Sequence, residues 1–237
     1  MKIVRTIVGA LLCISAGVAV GYVLSAAAGQ SGLGASALFP QAYATPFPED
    51  VYANTGNRLP AVKRENLDDA GKKLFDARGP NLDAFGPAAI RLYSSPVADH
   101  MAAVNDYLRY KSGLDPRLVQ LAILVAAREG DSEYVWTAHE PQGLKAGLSP
   151  EVIDAVKYRK PTAGLEEKDA AIIDLGREDF QKHHVSAATY ARAQGLFGNK
   201  QVVEYVALMG DYAATTTLLN AFDQHIRPTD KPLLPIP

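Results

Sequence analysis

Three times in this chain a small polar residue stands directly before a proline that opens an apolar run: Ser95-Pro96, Asp115-Pro116 and Ser149-Pro150. A serine or aspartate oxygen can accept hydrogen bonds from the free N–H groups of a helix's first turn. Proline fits just inside that turn because the N–H it lacks would have no intrahelical partner. Apolar residues then recur at spacings of three and four through Val97-Met101-Val104-Leu108, Leu118-Leu121-Ile123-Leu124 and Val152-Ile153-Val156. Leu67-Ala70-Leu74-Phe75, Ala170-Ile173-Leu175 and Val202-Val206-Leu208 repeat the pattern. This is the period of a helix with one buried face, not of a strand. Gly113, Gly130, Gly147 and Gly195 stand where the runs should stop, as expected of left-handed helix caps. Strand signals are nearly absent, so the expected body is a single all-α domain of about eight or nine helices over residues 60–225.

With 237 residues, 48% of them hydrophobic, the chain can bury a sizeable core. Its 24 basic and 26 acidic residues leave a formal charge of −2, which argues against a nucleic-acid partner. The first 28 residues stand apart from the rest. Lys2 and Arg5 precede an uncharged stretch from Thr6 to Leu24, and Ser25-Ala-Ala-Ala28 follows. Residues 1–28 therefore read as a secretory signal or, the apolar run being about long enough to span a bilayer, as an uncleaved anchor. Either reading places the body in the periplasm or outside the cell, with membrane contact only through this segment. The sole cysteine, Cys13, lies inside it, so a cleaved chain would hold no thiol for redox chemistry or metal binding. Residues 29–59, rich in Gly, Ser, Ala and Pro, read as a tether and arm, and residues 226–237 as an extended tail.

The segment from Pro116 to His139 carries the most chemistry. An apolar helical run is followed by a polar break at Gly130-Asp131, after which Ser132, Val135, Trp136 and His139 share one helical face. Glu133 lies six residues before His139, about 240° around the helix, so the two do not form a tight patch. Each residue has a structural reading beside its functional one. Ser132 is an N-cap first and a site hydroxyl second, and Trp136 can be core or ligand platform. Gln120 is an amide in an apolar helix and needs a partner; Arg128 could meet a carboxylate or form a surface ion pair. The adjacent His183 and His184 point about 100° apart and cannot share one metal as an i, i+4 pair does, so no metal site is expected. Tyr205 and Tyr212 share a face of the last helix and, with Asp211, could line a cleft or pack between subunits.

Arg117-x-x-Gln120-Leu-Ala-Ile-Leu, Glu133-Tyr-Val-Trp136-Thr-Ala-His139 and Ala146-Gly-Leu-Ser-Pro-Glu151 together resemble the carboxymuconolactone decarboxylase family, which includes the alkylhydroperoxidase D branch. Gly86-Pro87 and Ser95-Pro96 upstream, with Gly195-x-x-Gly198 through Phe222 downstream, extend the likeness to about residues 60–225. The resemblance implies an alkylhydroperoxidase D-like all-α fold and a homo-oligomer, trimer or hexamer. In the peroxidase branch two cysteines, a histidine and an upstream glutamate act together. Their positions here hold Ser132, Val135, His139 and Gln120, and neither Ser132 nor Val135 can do thiolate chemistry. The resemblance is thus to a cysteine-free subgroup with the motif Glu-Tyr-x-Trp-x-x-His.

The resulting expectation is acid–base chemistry (decarboxylation, isomerisation or lactone chemistry) on a small carboxylated or aromatic-derived molecule, without a cofactor. His139 and Glu133 are the expected catalytic pair, and Trp136, Gln120, Ser132 and Arg128 the ligand-binding residues. Peroxide reduction and non-catalytic small-molecule binding or assembly are the alternatives.

Overall fold

The structure is a computed structural model in which residues 47–79 and 83–236 are described. The expected signal or anchor, most of the tether and Cys13 lie outside the described residues. A short 3₁₀ turn at Arg64–Asn66 leads into eight α-helices: α1 (Asp69–Arg78), α2 (Pro87–Arg91), α3 (Ser95–Asp106), α4 (Pro116–Glu129), α5 (Glu133–Lys145), α6 (Pro150–Lys157), α7 (Glu167–Lys182) and α8 (Ala187–Ala221). No strand occurs among the described residues; the only β pairing is an isolated antiparallel bridge between Tyr52 and Asn57.

The core is built around α4. Leu118, Val119 and every residue from Leu121 to Arg128 are buried. A helix apolar on all sides must be enclosed, and α5, α6, α7 and α8 pack around this one. Gly176 lets α7 come close, because a Cβ there would run into Val125 of α4 and Met209 of α8. An ion pair between Arg117 Nη1 and the buried carboxylate of Asp169, 2.6 Å, joins the start of α4 to the start of α7.

The caps follow the expected chemistry with informative shifts. Asp115 and Ser149 cap α4 and α6 by accepting from the N–H groups of Arg117 and Val152. Ser95, by contrast, is already the first residue of α3. Ser94 is its N-cap, and the Ser95 hydroxyl donates to Asp68 Oδ1 at 2.5 Å. Gly113 and Gly147 adopt the expected positive φ, but after α4 the left-handed residue is Asp131, with φ 47°, rather than Gly130. Gly195 lies within α8. The break in that helix is three residues later, at Gly198, with φ 72° and ψ 163°.

Two further features position the site. After Asp106, α3 continues as a π-helical turn over Tyr107–Lys111, which turns the side chains of that segment relative to the preceding helix. The residues expected as an extended tail lie against the helices. Leu234 is buried, and the carbonyl of Pro235 accepts from Arg128 Nη1 at 2.8 Å. No helix of the described residues is long and apolar enough to cross a membrane.

Candidate active site

His139 comes from the middle of α5, where the chain turns inward against α4 and α8. It is only 8% exposed. A buried imidazole needs partners for both ring nitrogens, and it has them. Nδ1 lies 2.9 Å from the side-chain oxygen of Gln120 on α4, and Nε2 lies 3.3 Å from the hydroxyl of Tyr212 on α8. The His139 and Tyr212 rings meet edge to face, with centroids 5.2 Å apart. An amide oxygen only accepts, so the proton sits on Nδ1 and Nε2 presents its lone pair to the tyrosine O–H. Burial, with Arg109 nearby, pushes the His139 pKa down from 6.5 to about 3, so the ring is neutral at ordinary pH.

His139 and Tyr212 form one wall of a cavity of about 280 Å³, whose lining also includes Arg78, Arg91, Asn105, Arg109, Tyr134 and Thr215. Its charge is unbalanced. Three guanidinium groups face it from α1, α2 and the π-helical turn, and none of them forms an ion pair among the described residues. Nε of Arg91 and Nε of Arg109 are buried without a hydrogen-bond partner. Arg91 reaches the Thr215 hydroxyl through Nη2, and burial pulls its pKa below the usual arginine value, with Asp211 opposing. Arg109 lies 4.8 Å from the Tyr110 ring centroid. The carboxylates are already engaged: Asp106, which also lines the cavity, pairs with Lys111, and Asp211 accepts from Asn105 Nδ2 at 2.8 Å. Buried cationic donors without anionic partners, around a space of this size, suit a small anion.

Tyr134 closes one side. It lines this cavity and a second one, of about 410 Å³, between α5 and residues 226–233 of the tail. Its hydroxyl rests on Gly86, the N-cap of α2, where φ is 92° and any Cβ would collide with the phenol.

Of the expected catalytic and ligand-binding residues, the structure brings His139 and Gln120 together. The others lie elsewhere. Glu133 opens α5 half-buried and is absent from the cavity lining; burial raises its pKa, opposed by His225. Trp136 is fully buried in the core. Its indole N–H donates to Glu140, which pairs with Lys157 at 2.7 Å. Ser132 is the N-cap of α5. Arg128 is buried, paired with Asp131 at 2.9 Å and bonded to the tail at Pro235. Arg78, Arg91, Arg109 and Asn105 were not anticipated. They are widely spaced in sequence and converge only through tertiary packing. Tyr212 carried the one advance signal, its place with Asp211 on a face of the last helix.

Residues 96–173 match the carboxymuconolactone decarboxylase family. A search of curated proteins gives no match. Among solved structures, the chain resembles an uncharacterized peroxidase-related protein from Silicibacter sp. TM1040, with TM-score 0.58, 15% identity, and coverage of 74% of this chain and 93% of that one. It also resembles a protein of unknown function from Agrobacterium tumefaciens, described as a candidate antioxidant defence protein AhpD. There the TM-score is 0.51 and the identity 17%, over 56% of this chain and 93% of that one. At these identities the likeness establishes the fold, and the expected all-α architecture of the alkylhydroperoxidase D type is the one observed.

Proposed function

We propose that this chain, with its carboxymuconolactone decarboxylase family region, transfers protons to and from a small carboxylated molecule held in the arginine-lined cavity, and that it belongs to a cysteine-free subgroup of that family. The observation that carries this reading is the convergence of a neutral, buried His139 with the partnerless guanidinium nitrogens of Arg91 and Arg109 on one cavity. A carboxylate seated on the arginines brings a negative charge close to the ring. That favours the imidazolium and opposes the effect of burial, so the histidine becomes a better base once the ligand is present. Gln120 keeps the ring in its Nδ1–H tautomer throughout. Decarboxylation, isomerisation and lactone opening all pass through such a proton transfer.

The test is solvent exchange. The protein is incubated in D₂O with a panel of small lactone acids and other carboxylated carbon acids, and deuterium uptake or loss of CO₂ is followed by NMR. Uptake with the wild-type chain and none with His139→Asn supports the reading; no uptake in any member of a broad panel rejects it.

The description of the Silicibacter protein as peroxidase-related supports a second reading, peroxide reduction. In this chain the positions of the redox pair hold Ser132, now the cap of α5, and the buried Val135, and the only cysteine of the sequence is Cys13. A peroxide-consumption assay with a thiol reductant separates the two readings, because consumption above buffer level requires a redox centre these residues do not supply.

A further inference from the structure

Both ring nitrogens of His139 are taken by protein groups, Nδ1 by Gln120 and Nε2 by Tyr212. A molecule in the cavity therefore finds no free lone pair on the imidazole. Tyr212 lines the same cavity, and its hydroxyl is the group that covers Nε2. We infer that the Tyr212 hydroxyl, rather than His139 itself, is the group that exchanges a proton with the bound molecule. This rests on the proposed acid–base function and adds a catalytic residue to it.

The hydrogen-bond inventory of the phenol supports the assignment. Its single proton points to His139 Nε2. Its oxygen has two acceptor sites, and the nearby side-chain amide of Asn105 donates to Asp211. That leaves at least one acceptor site for a molecule in the cavity. In the forward step a substrate C–H or O–H bond breaks and its proton passes to the Tyr212 oxygen, while the phenolic proton passes to Nε2. The products are the substrate anion and a His139 imidazolium, and the tyrosine is neutral before and after. The reverse step returns a proton to the substrate. The Nε2 to hydroxyl distance of 3.3 Å is at the loose end for such a bond and leaves room to shorten as ligand binds. Burial raises the Tyr212 pKa and keeps the phenol neutral at rest; Arg109 and Asn105 act against that rise and lower the cost of charge on the oxygen during transfer.

Tyr212→Phe removes only the oxygen and preserves the buried ring. ¹⁵N NMR of the ligand-free protein, with the His139 signals identified by their loss in His139→Asn, should show a neutral Nδ1–H ring whose Nε2 accepts a hydrogen bond. In Tyr212→Phe the Nε2 signal should move to the position of an unbonded lone pair. If that variant does not fold, wild-type chain containing fluorotyrosine serves instead: its more acidic phenol should shift Nε2 further toward the bonded position. An unchanged Nε2 signal in the variant that is measured, or an Nε2–H ring in the wild type, overturns the proposal.

Solvent exchange into the lactone acids supplies the second arm. Tyr212→Phe should lose about 100-fold or more in exchange rate, with its half-saturating ligand concentration little changed. Exchange that survives in Tyr212→Phe but vanishes in His139→Asn rejects the tyrosine step and keeps the acid–base function. Absence of exchange everywhere, with the NMR result as expected, rejects the function and leaves the hydrogen-bonded pair.

Discussion

The side-chain oxygen of Gln120 on α4 lies 2.9 Å from Nδ1 of His139 on α5, and this contact decides which form of the ring the protein holds. A neutral amide fixes the tautomer without stabilising the imidazolium. Replacing Gln120 by glutamate would put a carboxylate at the same place, and an opposite charge at that distance favours the protonated ring. Gln120→Glu should therefore raise the His139 pKa from about 3, and a histidine NMR titration should show the ring gaining charge at higher pH than in the wild type. An unchanged titration would mean that Gln120 does not govern the ring.

The same low pKa makes folding depend on pH in a definite direction. The unfolded chain protonates this histidine below about 6.5, whereas the folded chain resists until about 3. The histidine's contribution is complete above the unfolded value and is lost as pH falls toward the folded one. Between these limits the loss approaches about 1.4 kcal/mol per pH unit. Denaturant titrations of wild type and His139→Gln across this window isolate it, since the carboxylates titrate in both. The wild-type curve should fall more steeply with acid; parallel curves would refute the assignment.

Arg91 and Arg109 should be required for anion binding and dispensable for folding. Malonate, a small dicarboxylate, is a suitable probe for calorimetry at low salt. A lost charge-assisted hydrogen bond is worth about 1.5–3 kcal/mol, so Arg91→Ala and Arg109→Ala should each weaken malonate about tenfold or more. Added salt should weaken wild-type binding as well. Equal affinity in all three proteins would show that the cavity does not select for charge.

Gly86 is constrained twice, by its φ of 92° and by the Tyr134 hydroxyl lying where a side chain would begin. Gly86→Ala should cost about 1–3 kcal/mol of stability in thermal or urea unfolding. Adding Tyr134→Phe removes the nearest colliding atom but leaves ring carbon Cζ 2.6 Å from the Cβ position together with the backbone strain, so it should recover only part of the loss. Full recovery would mean that neither the ring nor the backbone conformation carries a cost.

Legibility in the sequence followed the range of the interactions. Asp115 and Ser149 act within their own first turns, so their capping roles could be read directly. Ser95 is displaced by one residue because its hydroxyl is drawn to Asp68, 27 positions away. The α8 break at Gly198 rather than Gly195 is equally invisible to periodicity, since either glycine can take a positive φ. Gln120 could be marked as an amide in need of a partner, and that partner is His139. Arg91 and Arg109, in contrast, read as ordinary helix-end cations, and Tyr107–Lys111 looks like plain helix in sequence. Only packing α2, α3, α5 and α8 together turns those arginines and Tyr212 toward one cavity.

Deuterium exchange into lactone acids by wild type, His139→Asn and Arg91→Ala, run side by side with circular dichroism to verify folding, tests the role of His139 at its source. Wild type should exchange at least one member of the panel. His139→Asn should exchange none, and Arg91→Ala should need about tenfold more ligand to reach its half-maximal rate. Equal exchange by wild type and a folded His139→Asn would show that proton transfer in this cavity does not depend on His139.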